Sequence, residues 1–494
     1  MGDQTLLLVT MLSYIILLIG WGIFQGRKVK SSDDFAIAGR NLPGWVAALS
    51  ERATGESSWA LLGLPGAAYA MGLTEIWTAT GCVAGIVTAW AALSWRLRNS
   101  AEKYNATTFT GFISKSHPGE AKIIRMVSSA SIVFFFFFYV GAQFLGGGKT
   151  LHTMFGIDAV TGMLITAAVI IPYTIYGGFR SVVYTDVVQA VVMITALIIG
   201  PLVGFYYISS HPGMYAQSIG EALHKAGPSF TSLTGAASGF SIGVVIAGGF
   251  SWFFGYLGGQ PQLTTRFMAI KNPRQAKIAR NIGIVWTLIA YLGALSIGWI
   301  GLAIFGPEGS GGGLADREFV MPKVMLTLFH PVIAALLITG AIAAMISTAD
   351  SLLILSATEF SENLLKPLSK KHSKADNKKN LVLSRVITAL LALVALFLAW
   401  LNGDNKFIFT LVSYVWAGIG GTFSVVVLYT LFWKRYNGKA VIATIVYGIS
   451  FTVIWINTGM EEIVSSRITT FVTTLIVGFA ATIIFDKINR VKNS

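Results

Sequence analysis

The chain has 494 residues, 54% of them apolar and only 12% charged, with a formal net charge of +14 and a mean hydropathy of +0.68. That balance excludes a soluble globule and describes a polytopic membrane protein. A lone cysteine, Cys82, excludes an intrachain disulfide, and the six histidines show neither metal-ligand spacing nor pairing with a nucleophile.

Apolar windows of about 20 residues, the length that crosses roughly 30 Å of hydrocarbon, recur thirteen times. They lie near 5 to 25, 43 to 70, 74 to 95, 126 to 148, 158 to 177, 184 to 208, 239 to 258, 282 to 306, 329 to 357, 383 to 401, 407 to 432, 440 to 457 and 467 to 485. The first holds Asp3 and no basic segment, so it reads as a retained helix and not a cleaved signal peptide. With the N-terminus outside, 29 of the 36 Lys and Arg fall in cytoplasmic segments, Arg266 among them, and six, including Lys149, Lys406 and Arg467, fall outside. The positive-inside rule therefore gives N-out, C-in, which suits an odd number of spans. The net charge is a matter of topology and implies no nucleic acid, while the polybasic stretch 366 to 379 suits anionic lipid. Polar connections at 96 to 125, 209 to 238, 307 to 328 and 358 to 382 are too short for a soluble domain, and Pro307 to Gly313 reads as a flexible outer tip. Residues 1 to 494 are thus one membrane domain, and no obligate protein partner is evident.

Two spans are interrupted. The second carries Glu51, Arg52 and Glu56 among small residues, and charge at that depth usually faces protein or an aqueous path. The seventh carries Gly255, Gly258, Gly259, Gln260 and Pro261, which free backbone groups that must be satisfied otherwise. Each is the first of a block of five spans. Interrupted segments at matching positions of two halves point to an inverted-repeat transporter with its site at the midplane. The repeats are expected at about 43 to 208 and 239 to 432, leaving extra helices at 5 to 25, 440 to 457 and 467 to 485.

The ninth span places Ser347, Thr348 and Ser351 on adjacent faces beside a lone carboxylate, Asp350. Small residues there permit close helix packing; hydroxyls together with carbonyls from a broken partner helix also suit a dehydrated alkali cation. Gly146 to Thr150 has the look of a phosphate loop, but Gln143 stands where that motif needs glycine. No catalytic constellation is present, so an enzyme is not expected.

Five ordered stretches carry a resemblance: AALS followed by SSWALLGLPGAAY in the second span, GGFRSVVYTDVVQ at 177 to 189, GYLGGQPQLTTRFMA at 255 to 269, AAMISTADSLL at 343 to 353 and SYVWAGIGG at 413 to 421. Along essentially its whole length the chain resembles the sodium/solute symporter family, and within it sodium/proline symporters most. The resemblance implies an all-α polytopic membrane protein of about thirteen transmembrane helices with a five-plus-five inverted-repeat core of the leucine-transporter type. It implies a sodium ion held by the carbonyls of Ala53, Glu56 and Ala344 and the hydroxyls of Ser347 and Thr348. It also implies a substrate pocket of Ser57, Trp59, Tyr139, Trp252, Tyr256, Gln260 and Pro261. In some members the positions of Asp186, Asp350 and Ser351, with Ser347, resemble a second cation site, for sodium or a proton; an Asp at the start of a span, as Asp186 is, also serves simply as an N-cap.

The chain departs from the proline pattern at Arg52 and at Gly55-Glu56, where an uncharged residue and Asp-Met are usual, and it has one glycine more in its GGQP run. Arg52 and Glu56, spaced i to i+4, form either an internal ion pair or contacts to a substrate carboxylate or amine. The expected function is sodium-coupled symport of a small organic solute, a zwitterionic amino acid such as proline, in a bacterial inner membrane. Monocarboxylate uptake is the alternative. A non-transporting sensor or a facilitative channel is the reading from another class, with the short tail after the last span weighing against a sensor.

Overall fold

The computed structural model describes residues 2–27, 29, 32–365, 377–402 and 408–493. Most of the polybasic stretch, and Lys406, therefore lie outside the described residues. Among the described residues there is no β-strand; one isolated parallel bridge joins Leu42 to Ile270.

Among the described residues, ten helices are long and apolar enough to cross a bilayer. Three further crossings come from breaks. Gly44–Lys103, at 60 residues, would be about 90 Å long at the helical rise, far beyond any membrane. It divides at Gly72, whose φ of +63° and close approach to the Phe230 carbonyl exclude a side chain. Ala159–Ser210 divides in the same way at Gly178, with φ +62° and ψ −176°. The third is Phe240–Gly255, which is short because the seventh span breaks there. Thirteen spans result.

The expected windows locate these spans but misjudge the seventh. It resumes after its break as Pro261–Ala269, all nine residues of which are buried. Hydropathy reads this segment as loop because it is polar, with Gln262, Thr264, Thr265 and Arg266; the structure packs it inside protein, where polar backbone and side chains are tolerated at membrane depth. Arg266 is accordingly not a cytoplasmic surface cation but 1% exposed.

The ninth and eleventh spans are central, with 83% of their apolar windows buried in protein, against 33% for the first, twelfth and thirteenth. The ninth packs on the second, fourth, fifth and sixth spans. The Leu42–Ile270 bridge, with Leu42 N–H on the Ala269 carbonyl and Lys271 N–H on that of Leu42, staples the start of the second span to the end of the seventh. Both broken helices are thereby held side by side.

Candidate functional site

The second span breaks at Ser57, whose φ of +47° and ψ of −165° are uncommon for a residue with a side chain. Strain of this kind persists only where surroundings enforce it. Gln143 of the fourth span does so by accepting the Ser58 N–H at 3.1 Å, and Tyr139 donates its hydroxyl to Ser57 Oγ at 3.2 Å. The seventh span breaks over Tyr256 to Gln260; Gly258 has φ +82°, Pro261 restarts the helix, and Thr264 Oγ1 donates to the freed Gly258 carbonyl at 2.9 Å.

Beside the first break, the second and ninth spans meet through oxygen. Thr348 donates its hydroxyl to the Thr54 carbonyl at 2.9 Å, and the Thr54 hydroxyl lies 3.3 Å from that of Ser347 and 3.1 Å from that of Ser351. All these side chains are buried. Ala53 and Ala344 flank the junction with nothing larger than a methyl group, and the Glu56 carbonyl accepts the Trp59 N–H. The donor set, hydroxyls and carbonyls in a buried seam, fits an alkali cation. Thr54 was not among the residues expected from the sequence.

Asp186 lies next to this seam but is already matched with a cation. Arg266 Nη2 donates to its Oδ2 at 2.9 Å, Ser50 adds a bond at 2.5 Å, and Arg266 also holds Ser351 at 2.6 Å and the Gln262 carbonyl at 2.8 Å. Asp350 points elsewhere, to the hydroxyl of Thr174 on the fifth span. Ser351 and Asp186 are therefore brought together through Arg266, and Asp350 is not brought to them.

Arg52 is also internally engaged. Its Nε donates to Glu51 at 2.6 Å, its Nη1 to Glu56 at 3.0 Å and to Thr287 at 3.2 Å, and its Nη2 to Glu51. Glu51 is itself held by the Trp90 indole at 3.0 Å. Four of the five N–H groups of the guanidinium are thus used within the protein, which is the ion-pair reading of the two that the spacing allowed. Glu56 keeps one buried oxygen, Oε2, without a partner.

The expected pocket aromatics do assemble. Trp59 and Trp252 stack at 4.5 Å with their planes 9° apart, and Phe409 and Trp416 of the eleventh span close on Trp252 at 5.5 and 5.8 Å. Trp416 also packs edge-on against Tyr139 and Tyr256. Gln260 takes a bond from Gln262, while its own Nε2 and the indole nitrogens of Trp252 and Trp416 are buried without acceptors. The cluster is an apolar box with spare donors, suited to a small ligand that brings acceptors.

A family model described as the sodium:solute symporter family matches residues 35–448. The high-affinity proline transporter PutP of Bacillus subtilis (strain 168) is 34% identical over 470 residues, covering 95% of this chain and 94% of that one. The chain belongs to the sodium:solute symporter family. The sodium/proline symporter of Escherichia coli (strain K12) is 33% identical, covering 92% and 88%. Among solved structures, a substrate-bound, outward-open Na+-coupled sialic acid symporter superposes with a TM-score of 0.79 at 18% identity, covering 97% and 98%. That likeness carries the fold, the leucine-transporter type that the resemblance implied. As a family member the chain is a multi-pass membrane transporter and not an enzyme.

Sequence reasoning missed Ser50, Thr54, Gln143, Arg266, Trp416 and Phe409. Two of them carried a signal: Arg266 sits five residues past the GGQP break, and Trp416 lies inside the quoted SYVWAGIGG stretch.

Proposed function

We propose that this protein is a sodium-coupled symporter that takes up a zwitterionic amino acid, with proline as the leading candidate, in a bacterial inner membrane with its N-terminus outside. The observation that carries the reading is the hydroxyl and carbonyl seam of Thr348, Ser347 and Thr54 directly beside the strained break at Ser57. An ion ordering that seam tightens the same backbone that presents Ser57 and Trp59 to the aromatic box. By linkage, the solute must raise sodium affinity as much as sodium raises solute affinity.

One sodium would lie between the Ala53, Glu56 and Ala344 carbonyls and the Ser347 and Thr348 hydroxyls. The solute ring would lie against Trp59, Tyr139, Trp252 and Tyr256, near Ser57, Gln260 and Pro261. Glu56 Oε2, buried and unpartnered, is the acceptor for the amino group, whereas Arg52 is spent on Glu51 and Glu56. Curated relatives named as proline transporters support the substrate class. Residues 43 to 208 and 239 to 432 serve as the inverted repeats; their first members are the two broken spans.

Uptake of radiolabelled L-proline into proteoliposomes tests this. Accumulation driven by an inward sodium gradient and absent with potassium is the expected result. Equal uptake with either salt would remove sodium coupling, and accumulation of a monocarboxylate in place of proline would replace the substrate.

A further inference from the structure

Five cationic side chains are buried among the described residues: Arg52, Arg98, Lys149, Arg266 and Arg467. Four are neutralised by a carboxylate in contact, at Glu51 and Glu56, Glu102, Asp316 and Glu318, and Asp186. Arg467 is 9% exposed and has no ion pair among the described residues. It opens the thirteenth span, Ser466–Asn493, one of the helices outside the expected repeats. Its guanidinium carbon stands 4.6 Å from the Trp252 ring centroid. Nε donates to Ser251 at 3.0 Å, Nη2 donates to the Gly248 carbonyl at 3.0 Å, and Nη1 donates to Ser413.

A buried guanidinium held only by neutral groups lacks the counter-charge that ordinarily offsets its desolvation. Two of its five N–H groups remain unassigned. The nearest acids do not supply the charge by contact: Glu461 is tied to the Ser466 N–H at 2.7 Å, and Glu75 has no ion pair with Arg467. Around the same indole, Trp252 Nε1, Trp416 Nε1 and Gln260 Nε2 are further donors without acceptors. The region thus has several spare donors and a guanidinium with no carboxylate in contact, Glu461 and Glu75 acting on it only from a longer distance.

We infer that Arg467 is the carboxylate-recognition residue of the transporter, reaching from the thirteenth span over Trp252 to meet the acid group of the solute. This rests on the aromatic box being the substrate pocket, and it assigns a substrate contact to a helix outside the inverted repeats. The planar fork suits a carboxylate bidentately, and the solute's acid group replaces the hydroxyls of Ser251 and Ser413 as its partner. Glu56 and Arg467 then read the two charges of one zwitterion.

The test is competition by L-prolinamide, which lacks the carboxylate, against sodium-driven L-proline uptake in proteoliposomes. Wild type is expected to prefer the acid strongly. Arg467→Gln is expected to raise the KM for proline by about 10- to 100-fold, the range of a charge-assisted hydrogen bond, and to bring the acid-to-amide preference close to unity. A proline KM within threefold of wild type with the preference intact overturns the assignment. If Arg467→Gln does not reach the membrane, Arg467→Lys keeps the charge and loses the fork. A KM increase of about tenfold with a reduced preference then supports the assignment, and wild-type values of both overturn it. If wild type carries a monocarboxylate and not proline, the amino-acid reading fails; the same comparison with that acid and its amide still decides Arg467. A wild-type solute with no acid group overturns Arg467's role.

Discussion

Thr348 on the ninth span donates a 2.9 Å hydrogen bond to the carbonyl of Thr54, three residues before the strained Ser57 on the second span. Helices 294 residues apart in sequence are thus joined just before the residue at which the second span leaves helical φ/ψ. A cation seated there would replace this direct bond with shared coordination. Thr348→Ala removes one oxygen of that set. It is expected to weaken sodium activation of uptake by about 10- to 100-fold, the cost of a polar ligand to a charged group, while Thr348→Ser restores it. Sodium titrations of uptake check this, and an unchanged activation constant in Thr348→Ala would remove Thr348 from the site.

Because Arg266 already neutralises Asp186 and Asp350 faces Thr174, we propose one cation position and not two. Symport of a zwitterion should then move one positive charge per solute. The ratio of charge to solute flux, measured electrophysiologically on supported membranes, is expected to be near one. Asp186→Asn strands a buried guanidinium and is expected to cost about 3 to 5 kcal/mol of stability; the double variant Asp186→Asn, Arg266→Met should recover most of it in thermal unfolding.

Arg52 follows the same logic. Removing one partner of a buried pair costs about 3 to 5 kcal/mol, so Arg52→Gln is expected to lower the melting temperature sharply, whereas any protein that does fold should keep its preference for L-proline over L-prolinamide. Loss of that preference without a stability change would instead make Arg52 a substrate ligand.

His117 lies just before the fourth span, with Nε2 3.1 Å from the Thr430 hydroxyl and its ring edge-on to Tyr436. Burial lowers its pKa from the ordinary 6.5 to about 4. A depressed folded value means the unfolded chain takes up the proton first as pH falls. Stability is therefore full above pH 6.5 and declines between 6.5 and about 4, by about 2 kcal/mol at pH 5. His117→Gln is expected to flatten that part of the melting curve against pH.

Much of this was legible in the sequence because membrane burial leaves local marks. Apolar windows place the spans, the Glu51, Arg52 and Glu56 charges mark the second span as exceptional, and the GGQP run marks the seventh. What could not be read locally are pairings across the bundle. Nothing near Asp186 announces Arg266, 80 residues away, and nothing near Trp252 announces Arg467. The second half of the seventh span escaped for a different reason. A polar helix buried in protein has the composition of a loop, and hydropathy averages cannot separate the two. Arg52 was ambiguous because its spacing from Glu56 was visible while the clamp by Glu51, held in turn by Trp90, was not.

The most direct test of sodium coupling is reciprocal binding by calorimetry on the purified protein: the Kd for L-proline in sodium and in potassium, and the Kd for sodium with and without L-proline. The account predicts that sodium tightens proline binding by a large factor and that proline tightens sodium binding by the same factor. Proline binding of equal affinity in both salts would contradict it.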